Sequence, residues 1–291
     1  MQKRKSFVAG SFYPGQYSSC VDEINHFLST IKLSESLPEK IVAGIVPHAG
    51  WAYSGTLAAL VFYVIKQQYE KINTFIIFGT THRYFGNLPA VYDRGFWETP
   101  LGEAAVNEEL ADAVLNTKLA VGDSDAHIPE HSIEVQIPFI QYLFPGAKIL
   151  PILVPPGKQV VEFGEVIGEI IKQDLGRKIV CIGSTDLTHY GPGYGFTPMG
   201  VGQKALEWAF NVNDQKFIDL ALDLKPQDLL YCAVENGNAC GPGAAAATVA
   251  AAKELGSEKG LLLGHTNSNE IMKQNMGTIS NDSVGYAAII F

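Results

Sequence analysis

The feature that most limits the fold is an alternation of two kinds of segment. Short apolar runs rich in β-branched residues lie at 41–46, 74–78, 148–153, 178–182, 260–263 and 284–290. Between them, segments at 54–69, 107–115, 131–143, 160–173, 202–211 and 242–255 carry helical patterns, the first with Ser54 as its expected cap. A strand apolar on both sides is buried on both sides, and strands alternating with helices build a sheet with parallel strands. The expectation is an α/β fold: a mixed, largely parallel central sheet with helices on both faces. Residues 83–103 leave room for extra antiparallel strands. The run Ala244-Ala245-Ala246-Ala247 reads as part of a closely packed helix, because alanine favours helix. No linker, repeat or low-complexity tract divides the chain, so one domain spanning 1–291 is expected.

Composition narrows the function classes. Hydrophobic residues make up 47% of the 291, enough for a large core. The net charge of −9 lacks the basic footprint of a nucleic-acid binder. No run is long and apolar enough for a membrane span, and no apolar stretch follows the basic Lys3-Arg4-Lys5 as a signal peptide would require. Four widely spaced cysteines in a long chain suit a reducing compartment, and a cytoplasmic location is expected.

Chemistry-bearing residues gather where the strands end. The first run leads into Pro47-His48-Ala49-Gly50, the second into Gly79-Thr80-Thr81-His82, and the fourth into Ser184-Thr185-Asp186-Leu187-Thr188-His189. Ligands of open α/β sheets bind outside the carboxyl ends of the strands. Cys240 stands just before the alanine-rich helix, where a helix N-terminus favours a thiolate. A lone loop histidine is ordinary, but three at equivalent strand ends point to one cluster. Cys181, within a strand, and Cys232, within a helical stretch, read as inert; Cys20 reads as structural or exposed, and His26 as a helix-surface residue. His265 follows a strand and can approach the pocket. His127 and His131 have the spacing of a two-histidine zinc helix, but Pro129 argues against one continuous helix through both. His131 reads instead as a helix-start residue facing the pocket, in a second-shell or substrate-binding position. Trp51, Tyr53, Tyr84, Phe85 and Tyr190 flank the motifs and suggest an aromatic lining.

Two neutral imidazoles and one anionic ligand can hold a divalent metal with positions left open. A thiolate third ligand, Cys240, shifts the choice toward zinc, copper or iron, and ligand type does not choose among them. His189 suits proton transfer, with Asp186 to orient it. Two other functions remain open: a metal-free cysteine hydrolase using Cys240, His189 and Asp186, and a non-catalytic ligand- or peptide-binding protein.

Six motifs in order resemble the Memo family: Arg4-Lys5-Ser6-Phe7-Val8-Ala9-Gly10-Ser11-Phe12-Tyr13-Pro14, Val46-Pro47-His48-Ala49-Gly50-Trp51, Phe78-Gly79-Thr80-Thr81-His82, Glu130-His131-Ser132-Ile133-Glu134, Ser184-Thr185-Asp186-Leu187-Thr188-His189-Tyr190 and Asn238-Ala239-Cys240-Gly241. The likeness runs through to Ser283-Val284-Gly285-Tyr286. It implies a fold like that of class III extradiol dioxygenases, which hold iron(II) with two histidines and a glutamate. It places metal ligands at His48, His82 and Cys240, and the acid/base pair at His189 and Asp186. Cys240 departs from the dioxygenase pattern, so ring cleavage does not follow from the fold. The resemblance implies iron or copper as cofactor, an oxidoreductase of unknown substrate, and a functional link to Amme-type and radical-SAM proteins. The motility-related member of the family binds phosphotyrosine peptides. Here Arg83 and Arg94 are the only arginines near a motif that can serve a phosphate.

Overall fold

Four parallel strands form the centre of the protein, whose computed structural model describes residues 2–33, 37–174 and 176–291. They lie side by side in the order Ala43–Val46, Ile179–Ser184, Thr74–Gly79, Lys148–Leu153. Ser283–Ile290 pairs antiparallel with Ala43–Val46 and carries Leu261–Asn267 and His189–Tyr190, also antiparallel. At the other edge Ala90–Val91 runs antiparallel to Lys148–Leu153 and is followed by Val121–Gly122. The sheet is therefore mixed around a parallel core, as the alternation of segments predicts.

Successive side chains on a strand point to opposite faces, and each face has its own core. Ile76, Phe78, Leu150, Ile152 and Cys181 enter one; Phe75, Ile77, Ile149, Leu153, Val180 and Ile182 enter the other. Helices Val160–Gln173, Gln215–Leu222, Pro226–Asn236 and Pro242–Glu254 supply the first core. Helices Tyr17–Thr30, Trp51–Gln68 and Ile137–Leu143 supply the second. Each fully buried Phe or Ile contributes roughly 1.5–3 kcal/mol relative to exposure. The alanine-rich helix is buried from Pro242 through Ala252. It lies close against Val160–Gln173 because Gly164 has no Cβ to strike the Ala247 carbonyl and the Ala250 methyl.

Three helix boundaries differ from the sequence expectation, each for a tertiary reason. The helix expected to be capped by Ser54 begins at Trp51 with Gly50 at its N-cap. The carbonyl of Phe12 accepts the free Trp51 N–H at 2.7 Å, and Ser54 sits inside the helix with its hydroxyl on the Ala49 carbonyl. Residues 131–143 are not one helix: a single 3-10 turn, Glu134–Gln136, precedes Ile137–Leu143, and His131 lies outside both. The Glu130 carboxylate accepts the amides of His131 and Ser132 and holds that stretch as a loop. Gln203–Trp208 continues beyond the expected end at 211 through a π-helical turn, Ala209–Asp214, into Gln215–Leu222. Such turns insert a residue and re-aim side chains; here Asn213 and Asp214 face inward and are buried.

In the 83–103 stretch, Phe96–Thr99 pairs with Gly102–Ala105, and Lys3–Arg4 adds a parallel third strand. Among the described residues no helix is long and apolar enough to cross a membrane.

Candidate metal centre

The carboxyl ends of the parallel strands deliver the site. Val46 ends one strand two residues before His48, Gly79 ends another three before His82, and Ser184 ends a third two before Asp186. The His48, His82 and His131 rings meet there. His48 lies 5.3 Å from His82 and 5.4 Å from His131 between ring centroids, both edge-on, and His82 stacks on His131 at 4.6 Å. The ligand atoms of His48, His82 and His131 form one compact group, and those of His48, Asp186 and Cys240 form another.

The partners of these imidazoles decide which nitrogen faces the cavity. The His48 Nδ1 lies 3.0 Å from Ser184 Oγ. That hydroxyl donates its own proton to the Ser132 carbonyl at 2.7 Å, so it accepts from His48 Nδ1–H. The His48 Nε2 is then an unprotonated lone pair, and it faces Cys240 Sγ at 3.2 Å. His82 Nδ1 lies 3.0 Å from Glu130 Oε1. A carboxylate only accepts, so His82 Nδ1 carries the proton and Nε2 is turned inward. Holding a ligating histidine by its other nitrogen is how proteins set tautomer and ring orientation at metal sites.

Cys240 reaches this point because Gly241 follows it. A Cβ at Gly241 would collide with the Thr80 hydroxyl, and the Gly241 N–H donates to Thr185 Oγ1 at 2.9 Å. The Asp186 N–H donates to Cys240 Sγ at 3.3 Å and fixes its position. The Asp186 Oδ1 accepts the N–H groups of His48 at 2.7 Å and Ala49 at 3.3 Å. Its Oδ2 lies 4.0 Å from His48 Nε2 and 3.9 Å from His189 Nε2.

Burial dominates the charge states. It holds His48 well below the ordinary histidine value, helped by His131, His82 and His189. Burial likewise lowers His131 and His189 to about 4. Burial raises Asp186 to about 7, against the His48 and Ala49 amides that favour its charge. His82 moves the other way: burial opposes its charge, but Cys240 and Glu130 raise it to about 10. Burial also opposes the Glu130 charge, yet His82 and the Ser132 amide bring it to about 2. At neutral pH the site thus presents neutral His48, His131 and His189 beside a charged His82 paired with an ionised Glu130.

A cavity of about 460 Å³ opens over these groups. His48, His82, His131, Asp186 and His189 line it, with Phe12, Tyr53, Tyr194 and Tyr286 as aromatic walls. Trp51 and Tyr190 are not among its lining residues. Trp51 is buried against Phe139 and donates its indole N–H to the Val135 carbonyl. Tyr190 packs on Phe196 and Trp208 with its hydroxyl on the Gly200 carbonyl. Tyr84 bonds Leu88, and Phe85 is exposed. Arg94 is paired with Asp112.

The remaining histidines and cysteines lie elsewhere. His265 bonds Asp214 at 3.2 Å and stacks on Phe210. His127 is fully buried against the Ala90 carbonyl, and His26 is exposed. Cys20 and Cys181 are buried, and Cys232 is half-buried.

Sequence reasoning missed several participants. Glu130 was visible only as a neighbour of His131, and Ser184 only as a strand end. Phe12, Tyr194 and Tyr286 reach the cavity from distant segments. Asn213, in the π-helical turn, donates to Thr188 Oγ1 and accepts on its carbonyl from Asn238, so one turn ties the His189 strand to the Cys240 loop.

The donor set fits a metal ion: the unprotonated His48 Nε2, the inward His82 Nε2 whose proton a metal would displace, a thiol beside His48, and a further histidine alongside. The cysteine–histidine pair of the structure is Cys240 with His48, not with His189.

Comparison with known proteins agrees with the motifs. The sequence model described as Memo-like protein matches residues 4–290. A MEMO1 family protein of Thermococcus onnurineus is 37% identical over 303 residues, covering 98% of this chain and 97% of that one. MEMO1 family proteins of Pyrococcus furiosus and Methanosarcina mazei are 36% and 34% identical, covering 99% and 100% of this chain and 98% and 99% of theirs. The chain belongs to the Memo family.

Proposed function

We propose that the protein is a metal-dependent oxidoreductase that holds iron or copper with His48, His82 and Cys240. The observation that carries this reading is the pair of fixed tautomers. Ser184 and Glu130 engage the two Nδ1 atoms, which leaves both Nε2 atoms turned inward, His48 with a free lone pair 3.2 Å from Cys240 Sγ and His82 with a proton that a metal ion would displace. Such a donor set leaves positions open, and the bound ion would supply a Lewis-acidic, redox-active centre.

The protein groups around it have separable tasks. His189 Nε2 is buried, has no hydrogen-bond partner, and lines the cavity, so it can take or give a proton of the substrate. Asp186 is anchored by two amides and brings its second oxygen to 3.9 Å from His189 Nε2, where its charge would stabilise the imidazolium without occupying that nitrogen. His131 and Phe12 wall the cavity on one side. On this reading the protein works in a reducing cytoplasm on a small molecule, in a pathway shared with Amme-type and radical-SAM proteins.

The test is elemental analysis after anaerobic purification, with oxygen uptake measured on the same samples. Near-stoichiometric iron or copper is expected in the wild type and none in the His48→Ala, His82→Ala double variant. Unchanged metal in the double variant would sink the assignment.

A further inference from the structure

We propose that the cavity takes a cationic amine: an ammonium group carried on an apolar or aromatic body. This inference rests on the cavity being the substrate pocket of the metal centre. The lining includes two carboxylates, Asp186 and Asp282, and no lysine or arginine. The one charged histidine of the lining, His82, is already paired with Glu130 at 3.0 Å, so an anionic ligand would meet those carboxylates with no unpaired cation to receive it. A cation would meet opposite charge in a partly dewatered site, where such attraction is strongest.

Asp282 is built into place. Its Oδ1 accepts the Gly193 N–H at 2.7 Å, which fixes the carboxylate beside the turn that carries Tyr194. Among the described residues it forms no salt bridge with any lysine, arginine or histidine, so its charge is left for something outside the chain. The tyrosines give an independent indication. Tyr286 is only 2% exposed, lines the cavity, and its hydroxyl makes no hydrogen bond among the described residues. The side chain is buried while its hydroxyl is left open to the cavity, so its bonding capacity is directed at the space where a ligand would sit. Tyr53 and Tyr194 line the same cavity, and His189 lies against the Tyr194 ring at 5.0 Å. Tyrosine faces attract ammonium groups through the ring quadrupole. Carboxylates, ring faces and a free phenol together suit an amine and disfavour a phosphate or carboxylate ligand. The volume of about 460 Å³ is that of a small-molecule pocket.

Three probes of one shape and different charge test this: phenethylamine, 2-phenylethanol and 3-phenylpropionate. Binding is measured by calorimetry on the protein as purified and after chelation, with metal content determined for each sample. Phenethylamine is expected to bind at least about ten-fold more tightly than the alcohol, with the propionate weakest. Asp282→Asn keeps the acceptor for Gly193 and removes the charge. It is expected to shrink the amine preference to about three-fold or less, with metal content unchanged. Tyr286→Phe, which keeps the ring, is expected to weaken all three probes by about two- to five-fold through loss of one hydrogen bond. The inference is overturned if the propionate binds as tightly as the amine, if no probe binds, or if Asp282→Asn leaves the preference intact. Amine preference in the chelated protein separates this inference from the metal assignment, since each can fail while the other stands.

Discussion

Two buried polar clusters meet on one short segment, residues 130–134, and they are built on opposite plans. At one end Arg4 and Glu134 form an ion pair at 2.7 Å, with side chains 1% and 0% exposed. The Arg4 guanidinium also donates to the carbonyls of Lys5, His127, Ile128 and Glu130, and stacks 4.0 Å over Trp97. Glu134 accepts the amides of Phe7 and Val8 and the Tyr13 hydroxyl. At the other end His48, His82 and His189 line a cavity, with Cys240 Sγ 3.2 Å from His48 Nε2, and His189 Nε2 has no hydrogen-bond partner among the described residues. The saturated cluster locks the N-terminal segment in place and thereby seats Phe12 at the cavity wall. The open cluster keeps its bonding capacity for a ligand. Missing partners alone do not mark function: Tyr92, Trp97 and His127 also bury unpartnered polar atoms beside Arg4, but none of them lines the cavity over the histidines.

The contrast is most sharply tested by truncating one group in each cluster. Arg4→Ala leaves Glu134 buried and unpaired and is expected to cost about 3–5 kcal/mol in urea unfolding. His189→Ala, which breaks no hydrogen bond of its Nε2, is expected to cost no more than about 1 kcal/mol. Equal costs would erase the distinction between the two plans.

A smaller effect follows from pH. Burial depresses His127 from 6.5 to about 3. The unfolded chain therefore takes up a proton that the folded protein refuses. Its stabilisation is fully present above about pH 6.5 and is lost as pH falls toward 3, by on the order of a few kcal/mol. His131 and His189 are depressed in the same direction. Unfolding midpoints measured from pH 7 down to 4 should decline, and His127→Gln should flatten the decline. A slope untouched by that variant would remove His127 from the account.

The smallest expected effect probes the tautomer argument. Glu130→Gln keeps the shape beside His82 but replaces a strict acceptor with a group that also donates. Metal affinity should fall about 10–100-fold, the usual scale for losing the partner of a ligating histidine. Competition with a chelator of known affinity measures it; an unchanged affinity would mean that Glu130 does not set the His82 ring.

Much of the fold can be read along the chain. Strands at 74–78 and 148–153, and the helix at 160–173, show their period within a few residues, and the structure places them within a residue of those bounds. The gathering of His48, His82 and Asp186 is legible too, because parallel strands end on one side of a sheet. The helix at 131–143 is not, because the Glu130 carboxylate takes the amides of its first turn while being held by His82, which lies far away in sequence. Nor is the cavity lining: Phe12, Asp282 and Tyr286 come from the two ends of the chain, and no local pattern announces that they face one another.

The sequence by itself determined the alternation of strand and helix, the family, and the residue types available for chemistry at the strand ends. These follow from local periodicity and from motif order, both written in adjacent residues. Only the tertiary structure decided which nitrogen of each histidine faces inward, that Cys240 meets His48 rather than His189, and that His131 stacks on His82. Those outcomes depend on hydrogen bonds between residues far apart in the chain, such as His48 with Ser184 and His82 with Glu130, and such bonds exist only once both cores have packed.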